Sequence, residues 1–161
     1  MSPLHKTPAS LAASEPNHDG DDGRPAGRVR PTVVVVDDDV AVDESFGQML
    51  QAAGYDTHTE ATVAAGLAYL EHATPSVVIL DLHLPDGSGA ECLRQLRVWP
   101  QHRHLPVAIL TGDYFLDEDL ARELSTLGAR VFFKPVWEDD LLRIVGQLLG
   151  GPGHGPGGAT S

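Results

Sequence analysis

Apolar residues occur along the chain in short blocks of two kinds. Thr32–Val36, Ser76–Leu80, Val107–Leu110 and Arg130–Phe133 are compact runs rich in β-branched or aromatic residues. Runs that are apolar on both faces suit strands buried inside a parallel sheet. A fifth run, Tyr55–Thr59, alternates instead and reads as a half-covered strand. Between the runs, apolar positions fall at helical spacing. Phe46, Met49, Leu50 and Ala53 form one stripe, and Val63, Leu67 and Leu70 another within Ala61–His72. Cys92, Leu93 and Leu96 share a face of a third helix, from Gly87 or Ser88 to Val98. Leu116, Leu120, Leu124 and Leu127 predict a fourth, with its leucines mostly in the core. Leu141, Ile144, Val145 and Leu148 predict a fifth, beginning near Trp137. Gly54 and Gly128 stand where helices stop.

Five strands alternating with five helices call for an α/β domain: a parallel sheet covered on both faces, with right-handed crossovers. The expected arrangement is flavodoxin-like and doubly wound, with strand order 2-1-3-4-5. The periodic pattern occupies residues 32–149. Residues 1–31 are rich in Pro, Ser, Gly, Asp and Ala without periodicity, and residues 150–161 are dominated by Gly and Pro. Both read as disordered tails.

The formal charge of −12 changes this picture by exclusion. The N-terminal tail balances its charges, so the acidity belongs to the domain. A nucleic-acid or anionic-membrane surface would need clustered Lys and Arg. No apolar stretch approaches the ~20 residues that span a bilayer. The single cysteine, Cys92, excludes an internal disulfide and suits a reducing cytoplasm. At 42% hydrophobic, the 161 residues can bury a real core, in which Cys92 is expected to sit.

Chemistry gathers where the strands end. The first strand runs into Asp37 and Asp38, the third into Asp81, the fourth into Thr111 and the fifth into Lys134. Parallel strands bring those ends to one edge, where open α/β sheets place their sites. Three close carboxylates repel by about 4 kcal/mol per pair at ~4 Å and an effective dielectric near 20. A hard dication relieves this, and Mg²⁺ suits a few carboxylates plus water and phosphate oxygens. Asp81 is then a carboxylate nucleophile toward phosphorus, with Thr111 and Lys134 as donors to the phosphoryl oxygens.

Val33–Asp38, the Asp81…Pro85…Gly89 segment, Thr111-Gly112 and Lys134-Pro135, taken together, resemble the receiver domain of bacterial two-component response regulators. The resemblance implies that Asp81 is the phosphoacceptor. Asp37 and Asp38 become the acidic pair holding Mg²⁺, or Mn²⁺ as the alternative ion. Asp38, Asp81 and the backbone carbonyl of His83 are the implied direct ligands. Thr111 becomes the switch hydroxyl and Lys134 the phosphoryl-binding lysine, in a cis Lys134-Pro135 bond. The implied donor is a histidine kinase or a histidine phosphotransfer protein. Output is expected through the face of the fourth helix, fifth strand and fifth helix, by protein binding or relay, with a phosphorylation-dependent dimer left open. No external substrate is turned over on this reading.

Three positions depart from the family pattern. Val131 stands where an aromatic coupled to the threonine is usual, so Phe132 or Phe133 substitutes or the coupling is absent. His83 sits where side chains tune phosphoryl lifetime, and Trp137 begins the fifth helix in place of a capping Asp or Ser. Asp39 reads as a helix N-cap rather than a ligand. His102 and His104 read as solvated loop residues between Pro100 and Pro106. The alternative function is an aspartyl-phosphate hydrolase, which would require a second acid where His83 stands. A nucleotide-binding module would require a Gly-x-Gly-x-x-Gly turn after the first strand, where the acids stand.

Overall fold

The computed structural model describes residues 29–150, so both predicted tails lie almost wholly outside the described residues. Five parallel strands form the sheet: β1 (Thr32–Val36), β2 (Asp56–Glu60), β3 (Val77–Asp81), β4 (Val107–Thr111) and β5 (Ala129–Phe133). Their spatial order is β2-β1-β3-β4-β5, the doubly wound order expected. The helices are α1 (Val40–Ala52), α2 (Val63–Leu70), α3 (Gly89–Val98), α4 (Glu118–Thr126) and α5 (Glu138–Gly150).

The two-residue period of a strand divides the core into two. Val33, Val35, Val77, Ile79, Ala108 and Leu110 face Phe46 and Leu50 of α1 and Leu141, Ile144 and Val145 of α5. Val34, Val36, Val78, Leu80, Val107 and Ile109 face the other way, onto α2, α3 and Leu124 of α4. Cys92 lies fully buried in this second core, and burial pushes its thiol up to about 12.

Boundaries shift where turn hydrogen bonds claim a residue. Tyr55, expected to open β2, gives its N–H to the Leu50 carbonyl at 2.9 Å, and Gly54 turns with φ of 100°. That closes the end of α1, so β2 starts one residue later. Thr62 caps α2 through the Ala65 N–H, shortening the predicted Ala61–His72 at both ends to Val63–Leu70. Ser88 caps α3, so that helix starts at Gly89 rather than at Gly87 or Ser88. Asp39 caps α1 through the N–H groups of Ala41 and Val42, as expected. Of the four leucines expected on α4, Leu116 and Leu127 lie just outside it; only Leu124 is fully buried and the other three are half-buried, because α4 covers the sheet's margin.

The reading of His102 as a solvated loop residue is corrected. A single 3-10 turn, Pro100–His102, carries its ring into the core at 1% exposure, where Nε2 lies 2.6 Å from the Leu70 carbonyl oxygen. His104 is exposed as expected. Arg97 fixes the same corner by donating to the carbonyls of Leu127, His102 and Leu105 at 2.7–2.9 Å. Among the described residues, no helix is long and apolar enough to cross a membrane.

Candidate phosphoacceptor site

Strand register positions the site. Val36 pairs with Leu80, Asp81 with Leu110 and Thr111 with Phe133, so the carboxyl ends of β1, β3, β4 and β5 share one edge. Asp37 and Asp38 follow β1, Asp81 ends β3, Thr111 ends β4 and Lys134 follows β5. All five residues singled out from the sequence for side-chain chemistry are brought to that edge, and His83 sits beside them with an exposed side chain. The Lys134-Pro135 bond is cis, as the resemblance implied.

Asp37 and Asp81 are nearly buried, at 1% and 7% exposure, whereas Asp38 faces solvent. Each buried carboxylate is held on both oxygens. Asp37 Oδ1 accepts the Asp39 N–H at 2.9 Å, and Asp81 Oδ1 accepts the His83 N–H at 3.1 Å. Lys134 Nζ bridges the other pair, 3.2 Å from Asp37 Oδ2 and 3.0 Å from Asp81 Oδ2. Burial raises the Asp37 carboxyl above its ordinary value, and the Asp81 charge adds to this. The Asp39 N–H and the Lys134 ammonium pull it back without cancelling it. Lys134 is also partly desolvated, which favours its neutral form, but the bond to Asp81 and the charges of both acids outweigh that and raise its value. Lys134 is therefore a fixed cation.

One oxygen from each of Asp37, Asp38 and Asp81 lies within 4.8 Å of the other two. At that separation and an effective dielectric near 20, each carboxylate pair repels by about 3.5 kcal/mol before Lys134 offsets part of it. Three carboxylates and one ammonium leave a net charge of −2 on an oxygen-only cluster open to water through Asp38. That donor set fits a hard divalent cation that keeps several waters.

Thr111 is fully buried, and its Oγ1 accepts the Asp113 N–H at 3.0 Å. A hydroxyl that accepts there still has its own proton to give. The backbone of the two strand ends is joined by the Lys134 N–H donating to the Thr111 carbonyl at 2.8 Å.

Several contributors escape sequence reasoning. Residues 83–84 and 87–88 form a short antiparallel ladder after Asp81, too brief to leave a periodic signal. At its tip, Asp86 reaches back to α2. Its two oxygens accept the N–H groups of Val63 and Ala64 at 2.8 and 2.9 Å, which holds its carboxyl below the ordinary value. Pro85-Asp86-Gly87 signals a turn, but nothing local names a partner 23 residues earlier. Gly89 packs against β3 so closely that a Cβ there would lie 2.5 Å from the Asp81 carbonyl oxygen. Tyr114 lies across the end of β5, its Oη 2.6 Å from the Lys134 carbonyl oxygen.

Three carboxylates, a buried hydroxyl and a bridging lysine thus share the carboxyl edge of a doubly wound sheet. Residues 33–146 match the response regulator receiver domain, and the chain belongs to that family. The chain is 33% identical over 100 residues to the probable transcriptional regulatory protein TcrX of Mycobacterium tuberculosis, covering 62% of this chain and 40% of that protein. It is 32% identical over 110 residues to the transcriptional regulatory protein FixJ of Bradyrhizobium diazoefficiens, covering 68% and 52%. The chain thus spans about half the length of these curated relatives or less. Among solved structures, the chemotaxis response regulator CheY4 of Vibrio cholerae superposes with a TM-score of 0.69 at 27% identity, covering 75% of this chain and all of that one. The chain is accordingly a phosphorylation-dependent signalling module of the two-component type, and the hydrolase alternative is not favoured.

Proposed function

We propose that Asp81 is the residue phosphorylated, and that the domain is residues 32–149 with the remainder as extensions. The supporting observation is the placement of its carboxylate between the Asp37 and Asp38 acids and the Lys134 ammonium, 3.0 Å away. Asp37 is more deeply buried, and Asp38 has no such cation beside it among the described contacts. The donor is a phosphorylated imidazole of a histidine kinase or phosphotransfer protein. An Asp81 oxygen attacks phosphorus, the P–N bond breaks, and the electron pair leaves with the imidazole. Lys134 and Thr111 donate to the phosphoryl oxygens as charge builds on them.

Asp38, Asp81 and the His83 carbonyl, with Asp37 beside them, would hold Mg²⁺, or Mn²⁺ in its place, which would supply charge neutralisation at the site. Asp81 is regenerated by hydrolysis, so the chain is a switch in the cytoplasm rather than a catalyst for an external substrate. The output surface is the face of α4, β5 and α5, where Phe133 and Trp137 are exposed. It binds a target protein, relays the phosphoryl group or pairs with a second copy.

Incubation with acetyl phosphate and Mg²⁺, followed by intact mass measurement, tests the assignment. The expected result is a single adduct of about 80 Da that is lost in Asp81→Asn. An adduct that persists in that variant, or none while a known receiver labels in parallel, overturns it.

A further inference from the structure

The segment joining β4 to α4 is shaped by its own side chains. Thr111 Oγ1 accepts the Asp113 N–H at 3.0 Å, and Asp113 Oδ1 accepts the Phe115 N–H at 2.9 Å. Between these two turns, Tyr114 is carried across to the end of β5. Its Oη donates to the Lys134 carbonyl at 2.6 Å, and its ring lies on that of Phe133, with centroids 5.8 Å apart and planes 13° apart. The Lys134 N–H closes the circuit by donating to the Thr111 carbonyl. The segments that carry Thr111 and Lys134 are therefore tied twice, once by backbone and once by Tyr114. Val131, half-buried on β5, has no ring with which to take part.

We propose that Tyr114 is the positioning residue that couples Thr111 to Lys134, its bond to the Lys134 carbonyl holding the loop in the unphosphorylated arrangement. The proposal rests on Asp81 being the phosphoacceptor. When the Thr111 side chain rotates about its Cα–Cβ bond to bring the hydroxyl within reach of a phosphoryl oxygen, Oγ1 leaves its place beside the Asp113 N–H. The Asp113 N–H must then follow or lose its acceptor in this part-buried bond, at a cost in free energy. Tyr114 is the next residue, so the displacement falls on its bond to Lys134.

That bond can yield. Tyr114 is 65% exposed, so water replaces the carbonyl when the ring leaves. A net hydrogen bond of this kind biases a two-state equilibrium by roughly five-fold, enough to hold a resting state and small enough to reverse. Phe115, 93% exposed, moves with the same loop. The event at Asp81 is thereby written onto an aromatic surface beside α4 without a ring at position 131.

The full chain labelled with 3-fluorotyrosine carries three fluorines, at Tyr55, Tyr69 and Tyr114, and Tyr114→Phe assigns the third resonance by its disappearance. In unphosphorylated protein, Thr111→Ala should shift the Tyr114 resonance, since the Asp113 N–H has lost its acceptor, and Thr111→Ser should restore it. Acetyl phosphate with Mg²⁺ should shift it in the parent, and Tyr114→Phe should change the rate of Asp81 labelling about five-fold. An unmoved resonance in Thr111→Ala overturns the coupling whether or not Asp81 can be labelled. An Asp81 adduct without a Tyr114 shift also overturns it, while the phosphoacceptor assignment stands. Absence of any adduct overturns that assignment instead, and the Thr111→Ala comparison still decides the coupling.

Discussion

Magnesium should stabilise this domain, and the amount can be worked from the site. Asp37, Asp38 and Asp81 offer oxygens within 4.8 Å of one another, and Lys134 contributes a single positive charge, so a dication neutralises the remainder. An ion that binds only the folded chain adds stability as the logarithm of its concentration. Each tenfold rise above the dissociation constant is worth about 1.4 kcal/mol, and a hundred-fold excess about 2.7 kcal/mol. For a domain of this size, 1 kcal/mol moves the melting temperature by roughly 3–5 °C. The midpoint should therefore climb by about 5 °C per decade of Mg²⁺ once the site begins to fill.

The pH dependence has a definite sign. Burial raises the Asp37 carboxyl, so the folded chain holds that proton more tightly than the unfolded chain does. Stability from the protonated form is present in acid and is lost as pH rises through the raised folded value. Magnesium needs the carboxylate, so its increment should be full at neutral pH and fade as pH falls into that range. Scanning calorimetry over a Mg²⁺ series, with KCl holding ionic strength constant, measures this. Asp38 supplies one of the three mutually repelling carboxylates, so Asp38→Ala should remove the increment and leave the metal-free midpoint at or above that of the parent. A midpoint indifferent to Mg²⁺, an equal increment in Asp38→Ala, or an increment that grows in acid would each refute the reasoning.

Three further outcomes concern the supports of the site. Gly89→Ala places a methyl group 2.5 Å from the Asp81 carbonyl oxygen, and should cost about 1–3 kcal/mol, read as a lower urea midpoint at unchanged m. A variant as stable as the parent would show that α3 can draw back from β3. His102→Ala removes a buried ring and orphans the Leu70 carbonyl, and should cost about 2–4 kcal/mol in the same assay. A loss below half a kcal/mol would count against that burial. Asp86→Ala should destabilise the chain at neutral pH and match it in acid. The depressed carboxyl contributes above its unfolded value, and that contribution is lost as pH falls through the folded one. Parallel stability curves for parent and variant down to acid would refute the clamp on α2.

Much of the sheet was legible because β1, β3 and β4 are interior strands. Such strands are apolar on both faces, and each ends where a polar residue breaks the run. Parallel pairing then brings their ends together, so Asp37, Asp81, Thr111 and Lys134 could be gathered without coordinates. Contacts that join distant segments through one polar side chain were not legible. His102 looked solvated because its partner is the Leu70 carbonyl, 32 residues away. Asp86 and Tyr114 went unread for the same reason, because a polar atom aimed at a distant backbone group leaves no pattern in the sequence. The leucines of α4 look alike in spacing, yet only Leu124 meets the core fully, since the width of the sheet decides how much of that helix is covered.

The division of the interior by the sheet bears on how such a chain can diverge. The side chains packed beneath α1 and α5 belong to a different set from those beneath α2, α3 and α4, with a layer of backbone between them. Substitutions on opposite sides have no shared partners, and their costs should add, whereas neighbours within one layer must change in concert. The carboxyl edge of the sheet is anchored in both layers through strands whose successive residues alternate between them. A lineage can thus remodel the helices of one layer while the other keeps β3 and Asp81 in place.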